Sequence, residues 1–265
     1  MTRDKEPRPC FRTNRRTFLQ IGGLATVGVG NTVGSVATPT QGIQPRDASW
    51  RSFQDDAQNT GFAPQSDGLV SDISEERQIE VAGTARASPI VADGTVYLST
   101  SVLDGDEGEI IAQDMESGDR LWTSNWSPTI LSTPAVDNQN LYTGSRRTLY
   151  ALDPSTGSEQ WSRNLRPSAF SSPTVRDGTV FVGTRDGSVA AVETSIGDLS
   201  WESSLRTNEA VNTTPAVTSD SVFVGSESAT VASFDPNDGA QQWQRDLPSA
   251  VRTAPSVSDQ YVFVA

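Results

Sequence analysis

Ala151-Leu152-Asp153-Pro154-Ser155-Thr156-Gly157-Ser158-Glu159-Gln160-Trp161 is the stretch on which the reading of this chain turns. An apolar run ends in an acid, three turn-forming residues follow, a glycine closes the turn, and a tryptophan lies four residues beyond it. Pro, Ser, Thr and Gly bend a chain for known reasons of φ preference and local hydrogen bonding. The flanking Leu149-Tyr150 and Trp161 favour a pleated, half-buried surface. The unit therefore reads as strand, tight turn, strand.

The same offsets recur three times. Acids Asp114, Glu193 and Asp235 stand four residues before Gly118, Gly197 and Gly239, and each glycine stands four before Trp122, Trp201 and Trp243. Between these blocks lies a second pattern. Prolines at 89, 134, 173, 215 and 255 are separated by steps of 45, 39, 42 and 40 residues. Two positions after each is Val91, Val136, Val175, Val217 or Val257, and eight after is Tyr97, Tyr142, Phe181, Phe223 or Phe263. The offsets stay rigid while the spacers vary, as insertions in loops would. Asp93-Gly94, Asp177-Gly178 and Asp186-Gly187 are hairpin turns that supply positive φ. Each unit is thus four short strands in about 40 residues, the period of a β-propeller blade. The expected fold is all-β, a propeller of four-stranded blades over residues 87–265 with four complete repeats and a partial fifth.

The block Ala151/Asp153/Thr156/Gly157/Trp161 resembles the tryptophan-docking motif of pyrroloquinoline-quinone (PQQ)-like repeats, with looser copies at Ala112/Asp114/Ser117/Gly118/Trp122, Ala191/Glu193/Gly197/Trp201 and Ser233/Asp235/Gly239/Trp243. The WD40 signature cannot be met, because the chain has no histidine. The resemblance implies that the tryptophans wedge between neighbouring blades, that the glycine permits the turn, and that acid and hydroxyl fix it by hydrogen bonds. Ile196 and Asp238 replace the hydroxyl in two copies, which puts that contact in question there. Some members of this family are PQQ-dependent alcohol dehydrogenases, with a vicinal Cys–Cys disulfide, calcium-binding acids and a catalytic aspartate. The nearer likeness is to BamB, a non-enzymatic propeller that helps assemble outer-membrane barrels.

Residues 38–86 form a lead-in. Trp50, Phe53 and Asn59-Thr60-Gly61 look like the pre-propeller segment of exported relatives, and Glu75 to Val81 is the expected Trp-less outer strand that would complete the last blade. Ala265 falls inside the second strand of the fifth repeat, which leads to the expectation that the chain is a fragment of a larger propeller.

Residues 1–37 read as an export leader. Arg3, Lys5, Arg8, Arg12, Arg15 and Arg16 are opposed only by Asp4 and Glu6, and Ile21 to Ala37 is uncharged and Gly-rich. Arg15-Arg16 before Phe18-Leu19 resembles the twin-arginine (Tat) signal, which exports folded proteins. A location outside the cell or at its surface follows, without a transmembrane anchor in the mature chain. Cys10 would depart with the leader.

Composition removes whole classes of function. The 265 residues carry 33 acids against 20 basic groups, a net charge of −13, with no histidine and one cysteine. Histidine catalysis, His-ligated metals, disulfide frameworks and thiolate clusters are excluded. Nucleic acid is not an expected partner, since phosphate binding needs clustered Lys and Arg. Lys5 is the sole lysine; acidity with arginine in place of lysine resembles the proteins of salt-loving archaea, where salt screens carboxylate repulsion.

Lesser candidates each have a structural explanation beside the functional one. The carboxylates of Leu103-Asp104-Gly105-Asp106-Glu107-Gly108-Glu109 invite Ca²⁺ but miss the EF-hand spacing and suit a solvated hairpin tip. Arg146-Arg147 and Arg185-Asp186 suit an anionic partner or surface charge pairs. Asn125-Trp126-Ser127 and Asn212-Thr213-Thr214 are glycosylation sequons, and Trp126 lies outside the repeated pattern. The expected activity is that of an exported, non-catalytic scaffold with no cofactor, binding a protein partner or a surface glycan. The competing expectations are a quinoprotein oxidoreductase holding PQQ and calcium, and a structural module of the cell surface.

Overall fold

The computed structural model describes residues 50–61, 81, 84–85, 87–101, 107–126, 132–145, 147–165, 171–206, 209–258 and 261–265. The leader with Arg15 and Arg16, most of the expected strand Glu75 to Val81, the tip 102–106, Arg146 and Ser127 lie outside these residues.

Four antiparallel sheets follow one another along the chain, each a meander from an inner to an outer strand. Blade 1 runs Ile90–Ala92, Thr95–Ser101, Gly108–Asp114 and Arg120–Trp126. Blade 2 runs Ala135–Val136, Leu141–Ser145, Thr148–Leu152 and Glu159–Asn164. Blade 3 comprises Thr174–Arg176, Thr179–Gly183, Ser188–Glu193 and Leu199–Ser204, and blade 4 Ala216–Val217, Val222–Ser226, Thr230–Phe234 and Gln241–Asp246. A fifth repeat contributes Ser256–Val257 and Val262–Phe263 as a two-stranded sheet. Val81 is not in a strand. The described end of the lead-in, Thr84–Ala85, pairs instead with Thr100 and Ser101 on the inner side of blade 1.

No blade has a core of its own; the apolar residues fill the layers between blades. Tyr97, Ile110 and Ala112 of blade 1 pack on Val136, Leu141 and Leu152 of blade 2. Tyr142, Leu149 and Ala151 face Val180, Val182 and Ala190 of blade 3. Phe181, Ala191 and Trp201 face Val217, Val224 and Phe234 of blade 4. Middle strands are buried on both faces, which is why Leu141–Ser145 and Thr230–Phe234 lack polar/apolar alternation, whereas the outer strands alternate.

The hairpins divide into two kinds. Asp93 and Gly94 have φ of 48° and 75°, and Asp177 and Gly178 have 48° and 78°, the paired left-handed residues of a two-residue turn matching strand twist. Asp186-Gly187 differs from the expected pattern. Only Gly187 has positive φ (88°), and its amide returns to the Thr184 carbonyl at 3.4 Å. The turn is a residue longer, and Asp186 instead accepts from the Thr184 hydroxyl at 2.6 Å and the Ser188 amide at 3.2 Å.

Candidate functional site

The repeated turn is closed by its own backbone. The Gly157 amide donates to the Asp153 carbonyl at 2.8 Å and the Asp153 amide to the Ser158 carbonyl at 2.8 Å. The counterparts at Gly118/Asp114, Gly197/Glu193 and Gly239/Asp235 span 2.9–3.0 Å for the glycine amide: 3.0, 3.0 and 2.9 Å. Aspartate side chains reinforce this. Asp153 Oδ1 accepts from the amides of Ser155 (2.8 Å) and Thr156 (3.1 Å), and Asp114 Oδ1 from Glu116 (3.0 Å) and Ser117 (2.6 Å). Asp235 Oδ1 accepts from the Asn237 amide at 2.8 Å. Glu193 is one methylene longer and takes the Ser195 hydroxyl, at 2.7 Å. Hydrogen bonds from the Ser155 hydroxyl, then from the Ser155 and Thr156 amides, hold the Asp153 carboxyl below its ordinary pKa of 3.8.

The hydroxyl position behaves as an acceptor for the amide two residues on. Ser117 Oγ takes the Asp119 amide at 3.1 Å and Thr156 Oγ1 the Ser158 amide at 3.4 Å. Asp238 does the same with its carboxylate, accepting from Ala240 at 2.8 Å, so the departure from the motif there preserves the contact. Ile196 has no such atom and is exposed.

Three of the four tryptophans reach the turn of the following blade. Trp122 Nε1 donates to the Pro154 carbonyl at 2.9 Å, Trp161 to Thr194 at 2.8 Å, and Trp201 to Pro236 at 2.9 Å. The indole lies flat against that turn's glycine: a Cβ on Gly157 would stand 2.5 Å from Trp122 Cε3, and one on Gly197 2.6 Å from Trp161 Cε3. The glycine thus serves both a left-handed φ and the seat of the ring. Trp243 has no acceptor for Nε1 among the described residues.

Within a blade the tryptophan pairs with the aromatic of the second strand. Tyr97–Trp122, Tyr142–Trp161, Phe181–Trp201 and Phe223–Trp243 have centroids 6.0, 5.9, 6.0 and 5.9 Å apart and tilts of 44–51° (46°, 44°, 51° and 46°). Between the two rings, in register, lie Ala112, Ala151, Ala191 and Ser233. The residue opening the motif is small because two rings converge over it. A β-bulge follows it in every blade.

Two recurring features escaped the sequence reading. Ser132, Ser171, Thr213 and Thr253, each two residues before its proline, accept the amide ten residues after it: Gly144 (3.1 Å), Gly183 (2.7 Å), Gly225 (2.9 Å) and Ala265 (3.1 Å). Their spacing was visible. The first repeat has Ala87 there, and the buried Ser99 hydroxyl has no partner among the described residues. Trp126 is not outside the packing either; it meets Tyr150 of blade 2 edge-on at 4.5 Å.

The second feature is the path of Trp50–Gly61. This strap runs along the inner strands, where the Pro-x-Val amides point. Trp50 and Val91 exchange both backbone hydrogen bonds, at 2.6 and 2.8 Å. Val136 donates to the Arg51 carbonyl (2.9 Å), Val217 to Ala57 (2.5 Å) and Val257 to Gln58 (3.0 Å). Buried Asn59 then donates from Nδ2 to the carbonyls of Thr214 (3.2 Å), Pro215 (3.2 Å) and Pro255 (3.1 Å). Its left-handed φ of 54° suits asparagine. Asp56 caps the bend, accepting from the amides of Gln58 and Thr60 and from the Thr60 hydroxyl.

The remaining candidates stay apart. Glu109 lies in the third strand of blade 1 opposite Thr100. Arg147 and Arg185 are exposed, and Asn212 bonds Glu227 at 2.9 Å. Among the described residues no three Asp, Glu, His or Cys side chains converge to hold a metal ion, and no helix is long and apolar enough to cross a membrane. The chain has no vicinal cysteines, Cys10 being the only one.

Consecutive four-stranded blades, interlocked by a tryptophan of each on the turn of the next, define a β-propeller of PQQ-like repeats. Residues 106–264 match the family described as outer membrane protein assembly factor BamB, and the chain belongs to that family. No curated protein matches it in sequence. Among solved structures, BamB from Moraxella catarrhalis is similar with a TM-score of 0.58 at 18% identity, over 71% of this chain and 61% of its own. Quinohemoprotein alcohol dehydrogenase from Comamonas testosteroni gives 0.61 at 16% identity, over 82% of this chain and 45% of its own. A europium-containing methanol dehydrogenase gives 0.59 at 14% identity, over 75% and 48%. The chain thus spans about three-fifths of that BamB and about half of each dehydrogenase.

Proposed function

We propose that this chain is an exported, non-catalytic propeller that serves as a binding or assembly scaffold for a protein partner or a surface glycan. The observation that carries the reading is the employment of the recurring acids. Asp114, Asp153 and Asp235 each accept amides of their own turn, in three different blades. The Arg15-Arg16 leader supports export by the Tat route.

The fold likeness to two dehydrogenases favours a second reading, a PQQ-dependent oxidoreductase using calcium. Incubation of the purified protein with PQQ and Ca²⁺, followed by desalting, separates the two. The scaffold reading expects no retained quinone absorbance and no dye reduction by an alcohol. Retained absorbance with alcohol-dependent dye reduction overturns it.

A further inference from the structure

The strap satisfies the inner-strand valine amide of four repeats and skips the third. It advances one residue from blade 1 to blade 2, Trp50 to Arg51, and one from blade 4 to the fifth repeat, Ala57 to Gln58, but spends Ser52 to Asp56 in a turn between blades 2 and 4. Val175 pairs with Val180, between the pairs Thr174–Phe181 and Arg176–Thr179, the latter beside the two-residue turn. In such a hairpin the pair beside the turn exchanges hydrogen bonds and the next pair does not. The N–H and C=O of Val175 therefore point away from the second strand, as those of Val91 do toward Trp50. Neither has a partner among the described residues.

Beside them lies a cavity of about 300 Å³, lined among others by Arg51, Asp55, Ala57, Asp137 and Val175. Each charge of its lining has a partner. Arg51 donates from Nη2 to Asp93 at 2.8 Å, and Arg176, next to Val175, donates from Nε to Asp177 at 3.1 Å. Asp55 accepts the Arg51 amide. Asp137 accepts the amides of Gln139 and Asn140 and the Tyr142 hydroxyl. One donor of the guanidinium is left over: Arg51 Nη1 is buried and has no partner among the described residues. An incoming cation would bring donors to that donor. An incoming carboxylate would stand beside Asp55, whose pKa burial and the neighbouring Asp56 already raise above 3.8. A neutral carbonyl meets neither objection.

We propose that this cavity seats one residue of an extended, uncharged segment of a partner protein, a glutamine or asparagine. Its backbone forms at Val175 the two-hydrogen-bond bridge that Trp50 forms at Val91, and its side-chain carbonyl accepts from Arg51 Nη1. Addition of an extended segment to an exposed strand edge is an established mode of peptide recognition. The strap already does this at Val136 and Val217, in the blades on either side. The proposal rests on the scaffold reading and names the chemistry of the partner.

The test uses the full chain and three capped hexapeptides, Thr-Gln-Thr-Gln-Thr-Gln and its lysine and glutamate counterparts, in calorimetric titration and amide exchange. The glutamine peptide is expected to bind and to slow exchange of the Val175 amide. The lysine and glutamate peptides are expected to bind about fivefold more weakly or worse, the loss of one hydrogen bond. Two further glutamine peptides carry N-methyl groups, one on every glutamine amide and one on every threonine amide. Methylation at glutamine removes the donor to the Val175 carbonyl and is expected to abolish binding, whereas methylation at threonine falls on the side away from Val175 and is tolerated. Arg51→Lys keeps a cation for Asp93 and removes Nη1; it is expected to weaken the glutamine peptide about fivefold. If Arg51→Lys does not fold, the methylated pair decides alone, since it leaves the protein unchanged. No binding of the glutamine peptide, equal binding of all three charge types, equal effects of the two methylations, or unchanged affinity in folded Arg51→Lys overturns the site. Any of these with a negative PQQ assay leaves the scaffold reading standing; a positive PQQ assay removes that reading whatever the peptides do.

Discussion

The indole of Trp161 lies so close over Gly197 that any side chain on Gly197 would enter the ring, its Cβ 2.6 Å from Cε3. The two residues belong to different blades, and the contact recurs between Trp122 and Gly157 and between Trp201 and Gly239. It joins the repeats through shape as well as through the Trp161 Nε1 bond to Thr194.

Trp161→Ala is expected to cost about 3 kcal/mol, lowering the melting temperature by about 6–12 °C, whereas Leu121→Ala at an exposed site changes it little. Gly197→Ala is expected to cost about 1–2 kcal/mol for its left-handed φ and about 1–3 more for overpacking. The double variant tells the two apart. With the ring gone the overpacking vanishes, so the combined loss falls short of the sum. Strict additivity in denaturant melts would show that the ring does not rest on the glycine.

Asn59 offers an electrostatic test of the strap. Asn59→Ala strips three buried carbonyls of a donor and is expected to cost about 1–3 kcal/mol, with faster proteolysis within residues 50–61. Asn59→Asp is expected to be worse at neutral pH, because a carboxylate would face three carbonyl oxygens. Burial raises the pKa of such a group, so its charged form is what destabilises, and stability is regained as pH falls and the acid protonates. An Asn59→Asp protein as stable at pH 7 as at pH 5, relative to wild type, would contradict this placement.

Asp153 has the opposite linkage. Its folded pKa lies below 3.8, so its contribution is complete above that value and is lost as pH falls through the lower, folded one. The group is exposed, and the contribution is small, about 0.5–1 kcal/mol for Asp153→Ala at pH 7. Asp153→Asn keeps the acceptor and is expected to lose less. The gap in melting temperature between wild type and Asp153→Ala should close below pH 3.8, with neutral-pH melting as the reference.

Export depends on the leader if Arg15-Arg16 is read as a Tat signal. Replacing both with lysine is expected to trap precursor inside the cell, measured by fractionation and immunoblotting. Undiminished export of that variant would assign the leader to another route.

What was legible in the sequence is what side chains alone determine. The period, the four strands per unit and the turn at Asp153–Gly157 rest on residue types with strong local preferences. The strap was not legible, because its bonds to Val91, Val136, Val217 and Val257 are made by backbone carbonyls, which any residue supplies. Ala151 between Tyr142 and Trp161 was visible as a repeated small residue, but its reason lies in a register that only pairing reveals. Trp126 shares no offset with the other tryptophans, yet Tyr150 of the neighbouring blade lies against it. The Asp238 substitution looked like a lost contact because the motif names a hydroxyl, whereas the turn requires only an oxygen acceptor.

The interlock has a direction, and that direction matters during synthesis. The indoles of Trp122, Trp161 and Trp201 donate to carbonyls 32, 33 and 35 residues further along the chain. The seat of each of these indoles is therefore synthesised only after most of the following repeat. If the blades fold in the order of synthesis, every new unit seals the one before it, and a pause in elongation between two repeats leaves an indole without its seat.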